Sequence, residues 1–151
     1  GDVDNAVKYI EEAINSDESD VLTDAGYLFE LAAFSFKNGK NAKAYEAAQK
    51  VVELNPEMAG KAYMLMGTIW GSTICGGNEI ERRAPYWVAV DYMTKAKNAD
   101  PALAEDANNY IRQYANYYPA ASEAFMYDVV DGQSYTVSCG GMRAVTTVRL
   151  Q

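Results

Sequence analysis

Apolar residues recur along most of this chain at helical rather than strand spacing. Between residues 2 and 15, Ala6, Ile10 and Ala13 fall on one face with Val7 and Ile14 beside them, while Lys8, Glu11 and Glu12 turn the other way. That is the pattern of an amphipathic helix. Ser16 to Asp20 is acidic and polar and reads as a connector. A long helix is predicted from about Asp20 to Asn38, with Leu28, Leu31, Ala32 and Ser35 on one face and Phe29, Phe34 and Phe36 adding bulk. Asn38-Gly39 is its stop, with glycine taking the left-handed position. A partner helix from Asn41 to about Leu54 carries Ala44, Ala48 and Val51, small residues that let two helix axes approach closely.

The next stretch repeats this arrangement. Asn55-Pro56 starts a helix, asparagine as N-cap and proline in the first turn, and Asp100-Pro101 does the same. Tyr63, Met66, Gly67 and Trp70 lie between them on one helix, which ends near Trp70 to Ile74. Cys75 to Ala84 reads as an insertion, and Pro85 to Asn98 as the second helix, with Ala89, Met93 and Ala96 as its stripe. Pro101 to Tyr118 is another helix, with Leu103, Ala107, Tyr110, Ile111 and Tyr114 on one side, followed by a short turn from Pro119 to Met126. All four prolines then sit at helix starts.

After residue 126 the period changes to two. Asp131-Gly132 is a turn signal. Gln133 to Ser138 and Ala144 to Leu150 are rich in Val, Thr and Tyr, and Gly140-Gly141 between them suits a hairpin turn. An isolated hairpin is marginal in water, so this one must lean on the helices or on another chain.

The charge balance of 13 basic and 21 acidic side chains gives a net charge of −8. That argues against a nucleic-acid binder, which needs clustered Lys and Arg, and disfavours an anionic membrane surface. No apolar run is long enough to span a bilayer. Gly1 reads as a scar left by removal of an upstream segment, so any targeting signal would have gone with it.

Both cysteines precede a glycine pair, Cys75-Gly76-Gly77 and Cys139-Gly140-Gly141. Two readings stand: a disulfide in an oxidising compartment, tying the tail to the middle of the chain, or two buried free thiols. Histidine is absent, which excludes a Ser-His-Asp triad, a Cys-His pair and histidine ligation of a metal. The glycine-rich stretch from Gly71 to Asn78 lacks the Gly-Lys-Ser/Thr of a phosphate loop and reads as a crossover. Glu79 and Glu81, beside Arg82 and Arg83, read as a charge cluster rather than a catalytic pair. Met58, Met64, Met66, Met93, Met126 and Met142 read as packing. Of twelve tyrosines, Tyr110, Tyr114, Tyr117 and Tyr118 gather near the last long helix. They serve either as the contact with the hairpin or as an aromatic surface for a glycan or peptide.

The joint spacing of residues 2–101 resembles the tetratricopeptide repeat family. One hairpin carries Leu28, Leu31, Ala32, Ser35, Gly39, Ala44, Ala48, Val51 and Pro56. The other carries Tyr63, Met66, Gly67, Trp70, Ala89, Met93, Ala96 and Pro101, and residues 2–15 supply half of a third. Ser35 stands where the family has an aromatic, Ala32 where it has glycine, and the insertion breaks the usual length. The tail Y-T-V-S-C-G-G-M and the insertion also resemble secreted repeat proteins of gut-type bacteria.

The resemblance implies a mainly α fold, an α-α superhelix of antiparallel helix pairs whose first helices line a concave groove. It would comprise a partial repeat at 2–15, a repeat at 20–54, a repeat with insertion at 56–99, a capping helix at 101–118 and a hairpin at 127–151 packed on the helices. The groove residues implied are Phe29, Ala33 and Phe36 from one repeat and Lys61, Met64 and Thr68 from the next; the apolar ones equally suit a packed core. The function implied is a non-catalytic scaffold that binds protein or peptide, with no cofactor, in the periplasm or at the cell surface. Alternatives are a glycan-binding module using the surface tyrosines, a structural spacer, or an enzyme using Glu79, Glu81 or Asp131.

Overall fold

The computed structural model describes residues 2–14 and 21–151, so the connector expected over Ser16 to Asp20 lies outside the described residues, as do the side chains of Ala13 and Ile14. The chain is mainly helical, in the order α1 (Asp2–Ile14), α2 (Val21–Lys37), α3 (Asn41–Leu54), α4 (Ala59–Ser72), α5 (Glu79–Ala99), α6 (Ala104–Ala115) and α7 (Ala121–Met126), ending in β1 (Ser134–Cys139) and β2 (Met142–Thr147). Each of the first six helices packs against its neighbours in sequence.

The predicted punctuation is physical. Gly39 takes a φ of +78°, and Lys40 N–H donates to the Ser35 carbonyl at 2.8 Å while Gly39 N–H donates to that of Phe36 at 3.0 Å, closing α2 in a Schellman turn. Asn55 and Asp100 each accept a hydrogen bond from the backbone two residues on, and each proline beside them opens a single 3-10 turn, Pro56–Met58 and Pro101–Leu103, that runs into the next helix.

Pro85 departs from its expected role. α5 starts at Glu79, and Pro85 lies inside it, fully buried. The Asn78 side chain accepts from Glu81 N–H while the Glu81 carboxylate accepts from Asn78 N–H, a reciprocal cap that sets the start earlier. A proline at this depth removes one helical hydrogen bond, and the buried surface of its ring offsets part of that loss. The insertion between α4 and α5 is therefore shorter than Cys75 to Ala84.

The core runs through the stripes read from the pattern. Ala44, Ala48 and Val51 on α3, and Ala89, Met93 and Ala96 on α5, have no exposed surface, and neither does Trp70 on α4. Gly67 sits against α5 so closely that an added Cβ would lie 3.1 Å from the Ala89 carbonyl oxygen and 2.9 Å from the Met93 methyl. Tyr45 joins three helices: its ring meets Trp70 edge-on at 5.6 Å, and its hydroxyl lies 2.5 Å from that of Tyr92. Burial, then the bond to Tyr45, holds the Tyr92 hydroxyl protonated well above the usual tyrosine range.

β1 and β2 pair antiparallel, Cys139 opposite Met142, around a turn in which Gly140 and Gly141 both have positive φ, +62° and +78°. Glycine adopts both without strain, which suits the pair to this turn. The hairpin lies on the helices, chiefly on α5. The Trp87 indole N–H donates to the Arg149 carbonyl at 2.8 Å, and the Arg149 guanidinium returns a bond to the Trp87 carbonyl at 3.0 Å and pairs with Asp91 at 2.7 Å. Cys75 and Cys139 are joined in a disulfide, Cα atoms 5.9 Å apart, which pins the strand to the α4–α5 connection.

Candidate functional site

The residues expected to line a groove lie on α2 and α4. On α2 the face carries Phe29 and Phe36, both half-buried against the core, and Ala33, which is exposed. On α4 it carries Lys61, exposed, and Met64 and Thr68, half-buried. Phe29, Phe36 and Met64 therefore pack against the core and keep part of their surface in solvent.

The two helices' faces meet side by side. The Lys61 ammonium lies 4.5 Å from the centroid of the Phe29 ring, within the range of a cation–π contact. Thr68 donates its hydroxyl hydrogen bond to the Met64 carbonyl at 2.9 Å, which fixes its rotamer, and it also engages the hydroxyl of Tyr114 on α6. Tyr114 is reached because Gly71 leaves room: a Cβ there would lie 2.5 Å from the tyrosine ring. Burial pushes the Tyr114 hydroxyl up to about 12, with Tyr110 adding to the shift and Thr68 opposing it.

The tyrosines of the last long helix do not form a seam with the hairpin. Tyr117 stacks on Tyr86 of α5 at 4.7 Å, Tyr86 meets Tyr114 at 6.0 Å, and Tyr114 stacks on Tyr110 at 5.9 Å. Tyr86 is the hub, and it lay unremarked in the sequence because its partners are some thirty residues away. Only Tyr118 faces the tail, with the Arg149 guanidinium 5.9 Å from its ring. Tyr117 keeps about half its surface exposed, 49%, and is the member of the stack an outside molecule can reach.

Two of the three carboxylates considered for catalysis, Glu79 and Glu81, are engaged structurally. Glu79 pairs with Arg82, and with Arg83 at 3.0 Å. Glu81 caps α5. Asp131 is exposed in the turn before β1. No cluster of three or more His, Cys, Asp or Glu side chains forms among the described residues. Met126 is not a packing residue: it is 72% exposed, next to Phe125 at 87%.

A concavity of about 930 Å³ opens between α1, α2, α3 and the tip of the hairpin, lined by Glu11, Leu28, Tyr45, Lys50, Met142 and Arg143 among others. Lys43 and Glu11 of its lining pair at 2.8 Å; elsewhere Lys40 pairs with Asp4, whose carboxyl is lowered by that hydrogen bond and charge. A smaller cleft, of about 250 Å³, runs between β1 and the start of α5. No described helix is long and apolar enough to cross a membrane.

Comparison with protein-family models and with curated proteins finds no match to this chain.

Proposed function

We propose that this chain is a non-catalytic protein- or peptide-binding module, with α2–α3 and α4–α5 as tetratricopeptide-like repeats. In this reading the two pairs stack as a superhelix, α1 is the second half of a preceding repeat, and α6 with the hairpin seals the end. The observation that supports it is the Lys61–Phe29 contact, which sets α2 and α4 side by side at one point of the implied face. A strip along that face gives an extended segment apolar anchors at Phe29, Phe36 and Met64 and an adjustable polar rim, while the core behind it stays fixed. The net charge of −8 favours a partner rich in lysine and arginine.

The disulfide and the hairpin it anchors favour an oxidising compartment, the periplasm or the cell surface. A glycan-binding reading has one specific observation in its favour: Tyr117 is stacked on Tyr86 and half-exposed, which suits a sugar face.

The test selects peptides from a random library on the immobilised chain and titrates them beside soluble glycans. The expected result is saturable peptide binding that Met64→Glu weakens about tenfold or more, since a charge replaces an apolar anchor. Saturable glycan binding abolished by Tyr117→Ala, with no peptide selected, would replace this reading with the glycan one. Turnover lost on Glu79→Gln or Asp131→Asn would replace it with an enzyme.

A further inference from the structure

We propose that the free edge of β1 is a second docking site, on a different surface from the strip above, and that it takes an extended, lysine- or arginine-bearing peptide as an added strand. The register dictates which backbone groups are available. Cys139 and Met142 flank a two-residue turn, so they exchange hydrogen bonds with each other, and Val137–Ala144 and Tyr135–Thr146 repeat that pairing. Ser134, Thr136 and Ser138 therefore turn their N–H and C=O groups away from β2. No other strand or loop backbone pairs with those groups among the described residues.

The cleft of about 250 Å³ follows this strand. Tyr135, Thr136, Val137, Ser138 and Cys139 line it in unbroken succession, facing Glu81 and Ala84 of α5. With alternate side chains pointing to one face, a strand laid along five residues turns about two side chains inward. Glu81 meets one of them with a carboxylate. At the far end the cleft is closed by Cys75, Gly76 and Cys139, so the other side chain meets the disulfide. The disulfide holds both walls in place before anything binds, which lowers the ordering cost of association.

Charge chooses the occupant. A second copy of the chain pairing β1 with β1 would bring two Glu81 side chains to one junction and join two bodies of net charge −8. A basic extended peptide meets the same edge with attraction instead.

The experiment follows amide hydrogen exchange by NMR on the full chain, with the probe acetyl-Thr-Val-Lys-Val-Thr-Val-amide. Saturating peptide is expected to slow exchange at Ser134, Thr136 and Ser138 by about tenfold or more, with Tyr135 and Val137, already bonded to β2, little changed. A peptide with glutamate for lysine should bind about threefold more weakly or worse, and Glu81→Gln, which keeps the cap, should erase that difference. Thr136→Pro removes no bond to β2 and should abolish the protection. A probe N-methylated on its bonding edge tests the same bonds without altering the protein. Met64→Glu, in the first strip, should leave all of this unchanged. The proposal is overturned if millimolar probe protects none of the three amides, if N-methylation makes no difference, or if the same amides become protected with rising protein concentration alone.

Discussion

Removing the disulfide is the perturbation whose size follows most directly from the chain. Cys75 and Cys139 are 64 residues apart in sequence. In the chain-entropy description, a cross-link closing a loop of that length takes about 4 kcal/mol of stability from the unfolded state. For a domain of this size each kcal/mol moves the melting temperature by about 2–4 °C, so the Cys75→Ser/Cys139→Ser double variant should melt roughly 8–16 °C lower. The native fold should persist at 25 °C, because the hairpin keeps its anchors on α5: the Trp87 indole bond, the Arg149 bond to the Trp87 carbonyl and the Arg149–Asp91 pair. Calorimetry gives the melting shift, and urea unfolding should show a larger m-value, since the uncross-linked chain exposes more surface. A drop of less than about 3 °C with an unchanged m-value would refute the reasoning: the tail would then not be held to the helices in the way described.

Other substitutions and pH follow from the same packing. Arg149→Met leaves the Trp87 carbonyl and Asp91 without their charged donor and should cost about 1–3 kcal/mol by urea titration, with exchange rates rising first in β2. Ser35→Ala should be neutral or stabilising by up to about 1 kcal/mol, because the Ser35 hydroxyl is fully buried in α2 with no hydrogen-bond partner among the described residues. Tyr114 ionises near 12 in the folded chain, above its ordinary value. Its contribution is therefore complete below pH 10 and is lost as pH rises from 10 to 12, where the unfolded chain has already given up the proton. Ultraviolet titration of tyrosinate should show late ionisation, and Tyr114→Phe should reduce its amplitude by one tyrosine.

The helix ends were legible because they rest on local chemistry. Asn38-Gly39, Asn55-Pro56 and Asp100-Pro101 each determine a terminus within two or three residues, and Gly140-Gly141 does the same for the hairpin. The α3 and α5 stripes were legible because small residues at matched spacing have one physical use. The start of α5 was misread through Pro85, although Asn78 and Glu81 carried the stronger signal, a reciprocal cap at the right spacing. Arg149, Asp91 and Trp87 could not be found by any period: their partnership spans about sixty residues and appears only once the hairpin is laid on α5. The tyrosine stack was half visible, its members on α6 being close in sequence while Tyr86 was not. Phe125 and Met126 ended exposed on a helix too short to bury them, an outcome their apolar character does not foretell.

The measurement that bears most directly on the proposed binding strip is the methyl-region carbon–proton NMR spectrum of the full chain, titrated with a library-selected peptide. The account predicts that the Met64 and Thr68 methyl signals shift and saturate together, with Ala33 following and Met126 unmoved. Saturable shifts confined to Met126 and Val130, with Met64 and Thr68 unmoved, would contradict it.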